Sequence, residues 1–166
     1  IFSGCTNLKN FENVEFGASG IDTGYMFSGC TSLIYAKFAK VGSQYWQAQK
    51  WQYAFQNCSS LFYIDFGNCT MNWSSGWGIG MFSGCTSLQR IVGPANIGAD
   101  MSQAVDLPTG NWYVVNSNSD IVDAVTQFTS TVKGGNMLVN GAMVNFYQDK
   151  DSIANLEMPI AQKAFC

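Results

Sequence analysis

Hydrophobic residues in the first half of the chain recur in a short block of seven positions. The block has the pattern F-x-x-C-[ST]-x-L, so a phenylalanine, a cysteine and a leucine are separated by small or polar residues. Its four copies are residues 2–8, 27–33, 55–61 and 82–88, and their cysteines lie 25, 28 and 27 positions apart. A period of this length is typical of repeat proteins in which each repeat forms one structural unit.

A short segment of alternating hydrophobic and polar residues follows each block and predicts one strand per repeat. It is clearest where Leu61, Ile64 and Phe66 alternate with residues that can face solvent. The corresponding segments are residues 14–17, 36–38 and 88–91. Because a single repeat cannot bury its own apolar residues, we expect consecutive repeats to stack and their strands to pair in a parallel ladder.

The pattern changes after residue 93, where the blocks stop. Residues 1–93 carry five basic and four acidic side chains, whereas residues 94–166 carry three and seven. We therefore expect two units, a repeat solenoid over residues 1–93 and a capping or α/β unit over residues 94–166. Such a cover would keep the last apolar repeat and its strand edge away from water.

The second unit is predicted to have the element order β-α-β-β. A strand is expected over residues 112–115, and Ser119 can cap a helix that ends at the two glycines 134 and 135. The dipeptide Asn140-Gly141 favours a hairpin over residues 137–147, and residues 151–158 can form a short helix. The apolar residues at helical spacing are Ile121, Val122, Val125, Phe128 and Val132.

Two of the blocks are identical over eight residues. Residues 26–33 and 81–88 both read Met-Phe-Ser-Gly-Cys-Thr-Ser-Leu, and this octapeptide resembles the BspA-like leucine-rich repeats. The resemblance covers residues 1–93 only. It implies a leucine-rich-repeat fold and, because these repeats occur in surface proteins that attach to host or matrix components, a role in adhesion. The predicted fold class is α/β: a short leucine-rich-repeat solenoid with a parallel β-ladder, followed by a small β-α-β-β unit.

Four of the six cysteines occupy the same block position. Stacked repeats would place these four in one interior column of reduced thiols, where parallel Cα–Cβ vectors disfavour a disulfide. The remaining two, Cys69 and Cys166, lie outside the column, and a disulfide at either is left open. The residues of the predicted column are Cys5, Cys30, Cys58 and Cys85.

Aromatic residues also recur at related positions and are the candidate ligand-binding residues. Trp46 and Trp73 both precede a block phenylalanine by nine residues, so stacked repeats would place them side by side. Flat aromatic faces with a polar edge suit glycan rings or protein side chains. The alternative is that the insertions fold back and bury their own tryptophans. This predicted aromatic strip consists of Trp46, Trp51, Trp73, Trp77, Tyr45 and Tyr53, with Tyr25 beside them.

Composition excludes several functions. Only 11% of the residues are charged and the net charge is −3, so the chain lacks the positive field that binds nucleic acid. No apolar run is long enough to insert into a membrane. Histidine is absent and no C-x-x-C pair occurs, which argues against metal sites, cofactors and the usual catalytic residues.

The sequence thus predicts a non-enzymatic, surface-exposed binding or adhesion module. Its repeat loops would be presented to a protein or a glycan on a cell surface, and its location would be extracellular, on a cell or virion surface. The alternative is a structural or assembly component of a virion, fibre or surface layer. In that role the open repeat edge at the N-terminal end would dock onto a neighbouring chain or another copy.

Overall fold

The computed structural model describes residues 1–14, 21–38, 46–71, 78–97 and 105–141. For residues 21 and 46–49 it describes the backbone only. Thirteen strands lie in these ranges. They are β1 (Asn10–Phe11), β2 (Ile21–Asp22), β3 (Tyr35–Lys37), β4 (Trp46–Lys50), β5 (Tyr63–Asp65), β6 (Cys69–Met71), β7 (Arg90–Val92), β8 (Asn96–Ile97), β9 (Val105–Asp106), β10 (Trp112–Val115), β11 (Ile121–Val125), β12 (Gln127–Phe128) and β13 (Met137–Asn140).

The regular secondary structure is almost entirely β-strand, so the predicted α/β class is wrong. In the described ranges strands far outnumber helices, and no helix there reaches seven residues. One short 3-10 helix, Ser130–Val132, lies there. The predicted architecture, a separate solenoid followed by a β-α-β-β unit, is replaced by a mixed seven-stranded sheet in the order β1-β3-β5-β7-β13-β10-β11.

Each repeat contributes two strands rather than the single strand predicted. The strand after each block joins the parallel series β1-β3-β5-β7, and each begins two residues after the block leucine. A second parallel series, β2-β4-β6-β8, forms a four-stranded sheet. In the first repeat the strand is therefore at Asn10–Phe11, earlier than the predicted segment at residues 14–17. Residues 15–17 of that segment lie outside the described residues.

The blocks lie one above the next, joined by backbone hydrogen bonds. The N–H of Gly4 donates to Ser28 O at 2.8 Å, and the N–H of Gly29 donates to Gln56 O at 2.7 Å. The backbone at these glycines is left-handed, with φ of 76° and 77°, a conformation that only glycine and a few polar residues adopt cheaply. Asn57, at the same position in the third block, has φ of 59°. The left-handed backbone explains why the third residue of each block is glycine or asparagine.

The block phenylalanines form the centre of the hydrophobic core. The rings of Phe2, Phe27, Phe55 and Phe82 stack in that order with centroid separations of 5.5, 5.2 and 6.4 Å. The rings of Phe38 and Phe66, each one residue after a strand of the parallel series, stack at 5.5 Å and pack edge-on against this column. Repetition of the same side chain in each repeat thus builds a continuous stack of rings through the core.

Residues 121–125 and 127–128 form strands, so the predicted helix is wrong. Ile121–Val125 pairs antiparallel with Trp112–Val115, and the connecting turn is held by Asn116, whose Oδ1 accepts the N–H groups of Asn118 and Asp120 at 2.9 Å each. Ser119, the predicted cap, has φ of 69°, whereas an N-cap residue is extended. The turn chemistry and the β-branched residues favour a hairpin over a helix.

The C-terminal strands continue the sheet that the repeats begin. β13 pairs antiparallel with both β7 and β10, so it lies between the last repeat strand and the hairpin. Gly93, directly after β7, lies against the backbone of Val132. A Cβ at this position would lie 1.4 Å from Val132 O. The division into units at residue 93 stays a prediction. The second hairpin strand expected over residues 142–147, the helix over 151–158 and Cys166 lie outside the described residues.

Candidate functional site

Trp51, one member of the predicted aromatic strip, is a core residue. Its side chain is completely buried, with ring centroids 5.4 Å from Phe38 and 5.1 Å from Phe66, both edge-on. The indole Nε1 makes no hydrogen bond within the described part of the chain. Trp51 is therefore not a surface ligand-binding residue, and for this tryptophan the alternative of burial is correct.

The other members of the strip divide into two groups. Tyr45, Trp73 and Trp77 lie outside the described residues, and Trp46 is placed only through its backbone in β4. Tyr53 is half-buried and lies beside Tyr25. The structure thus brings together the two tyrosines, and it leaves the placement of the remaining indoles a prediction.

Tyr25 and Tyr53, which we call the tyrosine pair, stack on the surface of neighbouring repeats. Their ring centroids are 5.1 Å apart at an interplanar angle of 23°, and Tyr25 is 47% exposed. Each precedes its block phenylalanine by two residues, a position that Gly80 occupies in the fourth repeat. A Cβ at Gly80 would lie 2.4 Å from Cε1 of Tyr53, so the missing side chain there gives the Tyr53 ring its place.

The backbone at the tyrosine pair is left-handed. φ is 55° at Tyr25 and 52° at Tyr53, close to the 62° of Gly80. The N–H groups of the two tyrosines donate to Gln52 O at 2.9 Å and Ile79 O at 2.8 Å, which fixes this conformation. A bulky residue there costs about 1 kcal/mol relative to glycine. Two repeats therefore keep an aromatic ring at a position where glycine would fold more easily.

The charged side chains nearest the tyrosine pair in sequence balance each other. Ile79, which is 53% exposed, lies one residue before Gly80. Three residues after each tyrosine, Ser28 Oγ donates to Gln56 Oε1 at 3.3 Å. The nearest charges in sequence, Asp22 and Lys50, form an exposed ion pair at 3.5 Å. Aromatic faces beside amides and hydroxyls, without a net field, match an uncharged partner better than a phosphate or a polybasic segment.

The block cysteines lie in one column and each buried thiol has a structural partner. The Sγ atoms of Cys30, Cys58 and Cys85 donate to the carbonyl oxygens of the preceding block phenylalanines at 3.0 Å each. Cys5, in the first block, is exposed. These four and Cys69 are free thiols.

Burial makes the interior thiols unreactive. Desolvation raises the pKa of Cys58 to about 12, and it also raises the pKa values of Cys30, Cys69 and Cys85. A thiol with so high a pKa stays protonated at neutral pH and is neither a nucleophile nor a metal ligand. The column therefore acts in packing and hydrogen bonding.

Metal-ligand clusters and membrane-spanning helices are both absent from the described ranges. No group of three or more cysteine, aspartate or glutamate side chains there is arranged to hold a metal ion. In the same ranges, no helix has the length and apolar character needed to cross a bilayer.

Comparison with known proteins returns no relative. No family model matches the chain, and neither a curated protein nor a solved structure matches it. The resemblance to BspA-like repeats therefore stays a prediction that depends on the blocks alone. The signal for the tyrosine pair is also in the sequence, because Tyr25, Tyr53 and Gly80 share one offset from the block phenylalanine.

Proposed function

We propose that the chain is a non-enzymatic binding module that presents its repeat loops to a partner on a cell or virion surface. The tyrosine pair carries the proposal, because it is stacked, accessible at Tyr25, and held in a backbone conformation that disfavours tyrosine. Conformational cost retained at an exposed aromatic residue is typical of a binding site.

A neutral glycan is the partner class that this surface supports best. Sugar rings stack on exposed aromatic faces, and the neighbouring glutamine and serine side chains can exchange hydrogen bonds with hydroxyl groups. The low charge of the chain, 11% of residues, agrees with an extracellular surface on which neutral contacts dominate. A protein partner would use the same rings as anchors in a pocket of its own surface.

A glycan array followed by titration of the bound glycan tests the proposal. Tyr25→Gly removes the accessible ring and relieves the left-handed backbone, so the variant should fold as well as the parent while affinity falls about tenfold or more. Tyr25→Phe keeps the stack and should bind nearly as the parent does. Val122→Ala, which alters a side chain that is 55% exposed on β11, is the matched control.

The outcomes separate the two partner classes. Binding of a glycan that Tyr25→Gly loses supports the glycan, whereas protein capture that the same variant loses supports a protein partner. If Tyr25→Gly binds every partner as strongly as the parent and the Val122→Ala control do, the tyrosine pair has no recognition role and the proposal is wrong.

A further inference from the structure

The fourth repeat carries a row of backbone N–H groups that lack the acceptors found in earlier repeats. In the third repeat, the N–H groups of Tyr53 and Asn57 donate to carbonyls of the fourth at 2.8 and 2.7 Å. The equivalent N–H groups of Gly80 and Gly84 donate to no described residue, and neither does that of Phe82 between them. Because backbone donors require partners, this row is available to a bound molecule.

The C-terminal strands cover the side chains of the fourth block and leave its backbone row open. The ring of Phe128 packs edge-on against that of Phe82 at a centroid distance of 6.2 Å, which closes the phenylalanine column. Phe128 pairs with Val105 in β9, so the chain after β9 lies on the same side of the block. The cover of the core is therefore made of side chains, and it supplies no acceptor for the N–H groups of the row.

A cleft of about 440 Å³ lies along this row. Residues 80 and 82–86 form one wall, and residues 106–109 form the other. All three donors of the row belong to residues in the first wall, where Gly84 is exposed and Gly80 is half-buried. The cleft thus provides the space in which a ligand can supply acceptors.

The side chains of the cleft add an acceptor and several hydroxyl groups. One carboxylate oxygen of Asp106 accepts Gln127 Nε2 at 2.8 Å, and the other accepts no hydrogen bond from the part of the chain that the structure describes. The hydroxyl-bearing residues Ser83, Thr86 and Thr109 are exposed on the two walls. Within the described lining there is no lysine or arginine.

This combination of groups fits an uncharged ligand that both accepts and donates hydrogen bonds. An anion would be repelled by the carboxylate of Asp106, whereas a cation would leave the backbone donors without acceptors. A sugar hydroxyl does both, since its oxygen accepts from an N–H group and its hydrogen is donated to a carboxylate oxygen.

The cleft and the tyrosine pair meet at Gly80. This residue lines the cleft, and a Cβ on it would lie 2.4 Å from Cε1 of Tyr53. Because position 80 has no side chain, nothing from this residue stands between the Tyr53 ring and the cleft. The surface is therefore continuous from Tyr25 across Tyr53 to the backbone row.

We propose that the tyrosine pair and the cleft form one elongated site for a neutral oligosaccharide. One end of the sugar chain lies on the tyrosine pair and the following units lie in the cleft. There the N–H groups of Gly80 and Gly84 donate to sugar oxygens, and the second carboxylate oxygen of Asp106 accepts from a sugar hydroxyl. The inference rests on the proposed function for the glycan class, and it adds that the ligand is a chain of several units.

Titration with neutral oligosaccharides of graded length tests the proposal. The probes are linear chains of glucose, mannose, xylose or N-acetylglucosamine, from single sugars to hexasaccharides. For a sugar type that binds, the affinity of the parent should rise by about tenfold or more between the single sugar and the chain that fills the cleft. Further units should add little.

Two variants change the cleft and leave the tyrosine pair intact. Asp106→Ala removes the acceptor, and Ser83→Tyr fills the cleft from an exposed position. Each should lower the affinity for the longer oligosaccharide by about tenfold or more and leave that for the single sugar unchanged. The matched controls, Asp123→Ala on β11 and Ser117→Tyr in the turn after β10, are exposed and should bind as the parent does. Thermal unfolding of each variant verifies that the fold is retained.

Amide resonances of the 15N-labelled chain report on the cleft directly. The N–H signals of Gly80 and Gly84 should shift when the longer oligosaccharide is added and stay in place with the single sugar. Shifts of the two glycine signals with a neutral peptide, and with none of the sugars, would overturn the glycan class for this cleft.

The outcomes separate this inference from the proposed function. If Tyr25→Gly loses glycan binding while Asp106→Ala and Ser83→Tyr keep it at every chain length, the tyrosine pair binds glycan and the inference about the cleft is wrong. If Tyr25→Gly binds as the parent does, the proposed role of the tyrosine pair fails, and the continuous site fails with it. Lack of binding by every sugar probe also overturns the inference.

Discussion

The repeat blocks and the C-terminal hairpin enter one sheet through different interactions. In the blocks, the same side chains recur in every repeat, and strands β3, β5 and β7 have two buried residues out of three. In the hairpin, β11 has no fully buried residue, and its register depends on the turn at Asn116. We infer that packing of the repeated block residues fixes the parallel strands, whereas turn hydrogen bonds fix the β10–β11 hairpin.

The largest expected effect comes from removing one ring of the phenylalanine column. Phe55→Ala should lower the free energy of unfolding by about 4 kcal/mol, because the ring is completely buried between Phe27 and Phe82. Val122→Ala in β11 should change it by less than about 0.5 kcal/mol. Urea denaturation measures both. Similar losses for the two variants would contradict the contrast between the regions.

A smaller effect is expected at the hairpin turn. Asn116→Ala removes the acceptor of two backbone N–H groups and should lower the free energy of unfolding by about 1 kcal/mol. Amide exchange should accelerate in β10 and β11 and stay unchanged in the blocks. Ser117→Ala, in the same turn, is the control and should leave both measurements unchanged. Faster exchange in the blocks of Asn116→Ala would show that the hairpin and the blocks are not separately stabilised.

The cysteine column is expected to have the smallest effect on stability at neutral pH and a growing effect above pH 9. Burial raises the pKa of Cys58 from 9.0 to about 12. As the pH rises, the Cys58 thiol therefore loses its proton at a lower pH in the unfolded chain than in the folded chain. The stability contributed by the protonated, buried thiol is complete below pH 9 and is lost as the pH rises toward 12. Denaturation midpoints measured across this range should fall, and less steeply for Cys58→Ala than for the parent. Equal slopes would show that the Cys58 thiol does not contribute.

The blocks were predictable because each buried position repeats. Phenylalanine and cysteine recur at one spacing, and glycine or asparagine marks the left-handed residue between them. The second strand of each repeat was not predictable, because segments such as residues 46–50 and 69–71 share no pattern. The neighbours with which these strands pair are about a full repeat away in sequence.

Residues 121–132 show why the helix prediction failed. Ile121 and Val125 are four positions apart, a spacing that places them on one face of a helix and also on one face of a strand. The apolar pattern alone could not separate the two structures. The β-branched residues and the Asn116 turn favoured the strand, and tertiary pairing with β10 decided it.

The candidate site was only partly predictable. Recurrence of aromatic residues indicated a surface strip, but recurrence is equally typical of a core, and Trp51 belongs to the core. Tyr25 and Tyr53 share their offset with Gly80, and this glycine was the sequence signal for a left-handed backbone. The stacking of the two rings depends on the space above Gly80, which only the structure reveals.

Gly93 has a consequence for solubility. Its N–H donates to Asn136 O at 2.8 Å, and the contact with Val132 leaves no room for any side chain. A larger residue there would push β13 away from β7 and leave the edge of β7 open, with unpaired backbone groups along Arg90–Val92. Open strand edges recruit other chains, so a single methyl group at this glycine is expected to promote aggregation.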